Sequence, residues 1–263
     1  MMSQIDMLVA LADIEVNRTE LLAIQQNELV PLLQDQYRLN HYADSAIQAQ
    51  SVLLNGIDPH LIQQLGSSIE QLIQALADLK KYLGSRQFTA LQKWLGVDLE
   101  YSSMQVEYYK KLDQFLNRAH HLSQKLQVEI LKSEARFQQL LRHREQMAKY
   151  IRAAQEFLLE YPDYLRNAQP LDHFAESLSK KIHSLQTLQA SNDIAITQMQ
   201  LSQQLAFTLL DRFKEAQQVQ IPAWQDHVKR SHQHDSGIEL DKLAHSREEL
   251  MHTLRKSLEK PIP

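Results

Sequence analysis

A guanidinium and two carboxamides, those of Arg144, Gln189 and Asn192, stand at positions that their sequence neighbours fill with apolar side chains. From Leu112 to Leu158, and again from Leu171 to Phe213, apolar residues recur at alternating spacings of three and four, the pattern of a coiled-coil seam. Arg144 interrupts the series Leu116, Ser123, Ile130, Phe137, Arg144, Ile151, Leu158, which runs beside Leu112, Ala119, Leu126, Ser133, Leu140, Met147, Ala154. On the second run, Asn192 falls in the series Leu171, Leu178, Leu185, Asn192, Met199, Ala206, Phe213. Gln189 belongs to the neighbouring series Ala175, Ile182, Gln189, Ile196, Gln203, Leu210, Gln217. Antiparallel folding of the two runs about residue 166 sets Arg144 level with Gln189 and close to Asn192, a polar layer inside an apolar seam.

Two kinds of chemistry fit such a layer. Amide oxygens can satisfy the guanidinium and fix the helix register, the best-attested use of buried polar residues in coiled coils. Alternatively, the planar fork of donors on Arg144 can bind a small anion or a partner. Other candidates are weaker. His227, His232, His234 and Asp235, with His245 further on, could surround a divalent metal, since neutral imidazole is a common ligand. None of them shows the His-Glu-x-x-His helical spacing, and Ser231 to Gly237 reads as a solvated loop, so no metal site is assigned. The chain has no cysteine, which removes thiolate catalysis, disulfides and cysteine-ligated metals, and it has no glycine-rich phosphate loop. The expectation is therefore no catalytic residue, no cofactor and no enzyme activity.

The elements that must position these residues follow from the helix breakers. Only 5 glycines and 7 prolines occur among 263 residues, so the chain is expected to be helical throughout. A first helical stretch, Ser3 to Leu54, contains Pro31, which predicts a kink or short break near Glu28. Asn55-Gly56-Ile57-Asp58-Pro59 reads as a stop and restart, with Gly56 in the left-handed conformation, Asp58 as cap and Pro59 in the first turn. A second helix then spans Pro59 to Leu83, and a short one carries Phe88, Leu91, Trp94 and Leu95. From Asp98 the pattern continues to Tyr161, about 95 Å of helix at 1.5 Å per residue, which needs partner helices along its course. Beyond the connection Pro162 to Pro170 comes the second heptad run, a break at Pro222, and an amphipathic last helix from Glu239 to Glu259.

Charge and hydropathy narrow the class. A net charge of −4, from 28 basic and 32 acidic residues spread along the chain, gives no field that predicts nucleic-acid binding. No run of eighteen apolar residues exists and Met1 to Val9 lacks the form of a secretion signal, so a soluble cytoplasmic protein without an integral membrane segment is expected.

One element suggests a family. Leu188, Gln189, Ile194, Ile196, Leu205, Leu209, Ile221, Pro222 and Trp224 follow the signature region of the toxic anion resistance proteins of the TelA type, linked by name to tellurite resistance. In that family a Leu-Gln segment leads through a Gln-rich helix to an Ile-Pro-Leu-Trp-Lys motif. This chain resembles it over residues 80 to 260, with Asp193 and Ala195 where the family has proline and arginine, and Gln225 where it has lysine. The resemblance implies a helical cytoplasmic accessory factor in resistance to toxic anions or envelope stress. Trp224 becomes a candidate contact residue, set against its role as a plug closing the end of a bundle.

The sequence thus predicts an all-α, elongated antiparallel coiled-coil bundle of three-helix type with long helices. Residues 1–84 would pack as amino-terminal helices on a rod formed by residues 85–263. The functional expectation is a noncatalytic scaffold linked to tellurite or envelope-stress resistance. It would act through protein partners such as other stress-response proteins, and a homo-oligomer is left open. The alternative is a coiled-coil adaptor or structural component of a secretion or cell-division assembly.

Overall fold

Breaks in the helical pattern decide the architecture more than any single helix does. The computed structural model describes residues 8–83, 97–164, 173–233 and 237–259, with side chains at 8–78, 106–160, 173–228 and 241–259. The expected short helix with Phe88, Leu91, Trp94 and Leu95, and the Pro162 to Pro170 connection beyond Tyr164, lie outside the described residues; Pro162 itself does not end the long helix, which runs on to Tyr164. Among the described residues all regular structure is helical: α1 (Arg18–Ile24), α2 (Gln36–Asn40), α3 (Asp44–Ser51), α4 (Pro59–Leu83), α5 (Val97–Tyr164), α6 (Phe174–Glu215), α7 (Ile221–Gln233) and α8 (Gly237–Leu258). The protein is an all-α helical bundle.

The expected first helix is broken into pieces. Asn17 caps α1 by accepting from the Thr19 N–H at 2.9 Å, and Asp35 caps α2 by accepting from the Arg38 N–H at 3.0 Å. Between them lie a π turn, Gln25–Leu29, and a 3-10 turn, Val30–Gln34. Proline has no N–H and its ring collides with the carbonyl four residues back. Widening the turn ahead of Pro31, so that the Val30 N–H reaches the Gln25 carbonyl, relieves the conflict. The same solution recurs ahead of Pro222, where the π turn Ala216–Gln220 closes with the Ile221 N–H on the Ala216 carbonyl. Thus the expected interruption near Glu28 takes the form of a π turn, and Pro222 is preceded by one as well.

Ala43 interrupts the segment once more, at φ 62°, a left-handed conformation in which an L side chain is strained. α3 ends at Ser51, short of Leu54, and Gly56 is not in the left-handed region; the stop therefore rests on the turn after Ser51 rather than on a glycine cap. The restart is as expected: Asp58 accepts from the His60 N–H at 2.9 Å and Pro59 opens α4.

The chain divides into two units: Met1–Gly56 with Lys132–Leu201, and Ile57–Leu131 with Ser202–Pro263. This boundary passes through both long helices instead of falling between residues 84 and 85. In the first unit α1 to α3 lie on the pair formed by α5 and α6, whose antiparallel sense shows in the edge-on contact of Phe157, near the end of α5, with Phe174, at the start of α6. Leu21, Leu29, Leu33 and Leu39 there share a core with Met147, Ile151, Leu178 and Ile182. In the second unit α4, α5, α6, α7 and α8 contribute to one core, built on Leu65, Leu72, Leu112, Leu126, Phe213, Trp224 and Leu254. The long helices are thus covered by amino-terminal elements in the first unit and by three further helices in the second.

The heptad positions account for this burial. Leu112, Ala119, Leu126, Ser133, Leu140, Met147 and Ala154 are all buried, as are Leu178, Leu185, Asn192, Met199, Ala206 and Phe213. Each unit therefore draws its core from the same two stripes, and no described helix is long and apolar enough to cross a membrane.

Candidate functional site

Arg144 is buried, 5% exposed, because α5 carries it on a heptad position between Phe137 and Ile151. Its Nε donates to Asp193 Oδ1 at 2.8 Å and its Nη2 to Asp193 Oδ2 at 2.9 Å, a bidentate fork on one carboxylate. Nη2 also donates to the Val9 carbonyl at 2.7 Å, which ties the start of the described chain to α5. Gln189 Nε2 donates to Asp193 Oδ1 at 2.6 Å from one turn back on α6. Asn192 Nδ2 donates to Gln50 Oε1 at 3.0 Å, linking α6 to α3. Arg144, Gln189 and Asn192 therefore do lie in one layer of the first unit.

The partner of the guanidinium is the carboxylate of Asp193, not an amide oxygen. A helical side chain leans toward the amino end of its own helix. In an antiparallel pair that lean carries the long Arg144 past the level of Gln189 to a later residue of α6. Asp193 has no heptad position to mark it, and its one sequence signal is the four-residue spacing from Gln189. Gln50 and the Val9 carbonyl were not legible at all, since both come from the segment whose helices the sequence ran together. Any free anion approaching this fork must first displace Asp193, so the geometry favours a layer that fixes register.

The layer is also imperfectly paired. Gln50 Nε2 and Gln189 Oε1 are buried and make no hydrogen bond, and an unsatisfied buried group costs about 1–3 kcal/mol. Apolar replacement of a buried ion pair is often neutral or stabilising, so specificity of pairing is the return that such an arrangement offers.

The chain is a distant relative of Protein KlaA of Escherichia coli. The two are 29% identical over 192 residues, 71% of this chain and 72% of that protein. No family model and no solved structure matches the sequence.

Further polar contacts hold the amino-terminal segment to α5 and α6. Lys149 Nζ meets Glu20 at 2.8 Å, and Lys181 Nζ donates to the Asn40 carbonyl at 2.6 Å and to Asp44 at 3.0 Å. Burial opposes ionisation of Asp44, yet hydrogen bonds from His41 and Lys181 outweigh it and lower its pKa. Tyr42 donates to the Tyr150 carbonyl at 2.8 Å, and Tyr150 donates to Glu28 at 2.9 Å. Burial, then the Glu28 charge, then Tyr150, hold the Tyr42 phenol well above its ordinary value of 10.0. Tyr150 is raised in the same direction, by burial and by Glu28.

A pKa raised in the folded state contributes stability that is whole below the unfolded value, about 10, and is lost as pH climbs toward the folded value. Urea denaturation from pH 8 to 11 should therefore show a steep alkaline loss of stability, and Tyr42→Phe should make that loss shallower. An unchanged alkaline slope in the variant would show that other groups set it.

Trp224 is 2% exposed and belongs to the core of the second unit. α7 begins at Ile221, and the π turn ahead of it orients the helix so that Ile221, Trp224 and Val228 face inward. Beside them Gln220 Nε2 donates to Thr253 Oγ1 at 2.6 Å, setting the π turn against α8. The indole N–H is buried without an acceptor. Of the two roles set out for Trp224, the burial fits the plug and offers no exposed face to a partner.

His245 is exposed and lies 3.3 Å from Glu249, and the side chains of His232, His234 and Asp235 lie outside the described residues. Among the described residues there is no group of three or more His, Cys, Asp or Glu that could hold a metal ion.

Proposed function

We propose that this chain is a divergent relative of the toxic anion resistance proteins and works as a noncatalytic cytoplasmic scaffold in resistance to tellurite or to envelope stress. The observation that carries this reading is the 29% identity to KlaA, which extends over most of both chains. The resemblance at Leu188-Gln189 and at Ile221-Pro222-Ala223-Trp224 agrees with it.

The geometry bears on how such a protein would act. Of its buried charges, Arg144 is already matched by Asp193, and the tryptophan at 224 is committed to a core. Large apolar side chains meanwhile stand on the surface: Ile194 and Leu201 in the first unit, Leu131 and Phe207 in the second. A partner that covered several of these side chains would remove apolar surface from water. Action through contacts is thus the reading these features support.

A strain lacking the gene, challenged with tellurite and with envelope-active agents, tests it. Increased sensitivity, restored by the intact chain, is the expected result. Unchanged sensitivity together with capture of secretion or division proteins on the purified chain would instead favour an adaptor in one of those assemblies.

A further inference from the structure

Asn55 and Gly56 form a dipeptide whose chemistry the scaffold reading does not use. Both are exposed, they lie in the irregular stretch between Ser51 and Pro59, and Gly56 is the last residue of the first unit. Apart from its chain neighbours, a Cβ built on Gly56 meets nothing within 4 Å, so no packed neighbour crowds the residue that follows Asn55. Among the described residues the side-chain amide of Asn55 is held by one 3.4 Å contact, to the Val52 carbonyl, at the weak limit of a hydrogen bond.

We propose that Asn55 is a site of spontaneous deamidation in the folded protein. The backbone nitrogen of Gly56 attacks Cγ of Asn55, the bond from Cγ to the side-chain nitrogen breaks, and ammonia leaves carrying the proton from the attacking nitrogen. Water then opens the resulting five-membered imide at either carbonyl, giving aspartate or isoaspartate without any oxidant or cofactor. A following glycine favours the attack because it has no Cβ to obstruct the approach and its φ and ψ are unrestricted.

The fold makes this reaction selective. Asn27 is inside a π turn, Asn40 is in α2 and Asn117 is in α5, where the backbone hydrogen bonds of the turn fix the following nitrogen away from Cγ. Asn17 is engaged as a cap, its Oδ1 accepting from both the N–H and the hydroxyl of Thr19. Asn192 is buried on α6 and donates to Gln50. Asn55 alone, of these six, combines exposure, irregular backbone and a glycine successor.

The product changes the junction in two ways. A new carboxylate stands three residues ahead of Asp58, the cap of α4, and the isoaspartyl form lengthens the main chain by one methylene where it leaves the first unit. The site is read by peptide mapping of the full chain after incubation at mildly alkaline pH, with a parallel sample unfolded in urea. Aspartyl and isoaspartyl peptides separate chromatographically and carry oxygen in place of the lost amide nitrogen.

Asn55 is expected to react in the folded chain within about threefold of its rate in urea, as an unrestrained loop should, while Asn27, Asn117 and Asn192 stay intact. Gly56→Ala is expected to slow the reaction by about tenfold or more. A folded-state rate at Asn55 more than about threefold below the unfolded rate would overturn the proposal. So would equal reaction at the helical asparagines, or a Gly56→Ala variant that deamidates as fast as the original chain.

Discussion

Replacing Arg144 with alanine is expected to lower the unfolding free energy by about 3 kcal/mol, because it leaves the Asp193 carboxylate facing the core without its cation. The pair is mostly out of water: the Arg144 side chain is 6% exposed and that of Asp193 25%. Asp193→Ala should do comparable damage, stranding the guanidinium and the Gln189 amide that share its oxygens. The double variant should be no worse than the worse single, with a coupling of about 1–3 kcal/mol measured by urea denaturation of all four proteins. Additive losses would show that the two residues act separately and that the fork contributes little. If the layer serves register alone, the double replacement by leucine will recover stability and keep the resistance phenotype.

That pair also shows what the sequence could and could not disclose. Arg144, Gln189 and Asn192 were visible because each breaks an apolar stripe, and the stripe itself is a local property of the chain. Asp193 stands beside the stripe, where an acidic residue looks solvated, and only the lean of Arg144 across an antiparallel partner brings them together. α4 was legible to its ends because Asp58, Pro59 and the apolar spacing agree. The segment before it was not. Ala43 takes a left-handed conformation with no residue type to announce it, and the turn at Gln25–Leu29 is a widened helix whose composition is ordinary.

The division into two units lay deeper still. Its boundary crosses α5 between Leu131 and Lys132 and α6 between Leu201 and Ser202, where both helices continue unbroken. Nothing in the local sequence of a helix records which neighbours cover it. The covering elements are far away in the chain: residues 8–56 for one stretch, and α4, α7 and α8 for the other. Hence the heptads foretold the burial but not the partition.

Trp224→Ala should produce the largest single loss in the molecule, about 3–5 kcal/mol, since it empties a fully enclosed site among Ile221, Val228 and the surrounding leucines. Trp224→Phe separates packing from polarity. It keeps most of the apolar volume and removes the indole N–H, which is buried without an acceptor, so it should cost far less than alanine. The measurement is thermal or urea unfolding of the purified chain, followed by the resistance phenotype at a temperature where the phenylalanine variant remains folded. A plug predicts that phenotype follows stability, with Trp224→Phe active and Trp224→Ala lost. A contact residue predicts the reverse pattern, with stability nearly intact in both variants and resistance lost in each. Burial at 2% exposure decides in advance which pattern to expect, because a side chain enclosed by its own core cannot meet a partner without unpacking α7. The Ile-Pro-x-Trp element would then mark a position that the fold needs closed, with the π turn and Pro222 serving to aim Trp224 inward.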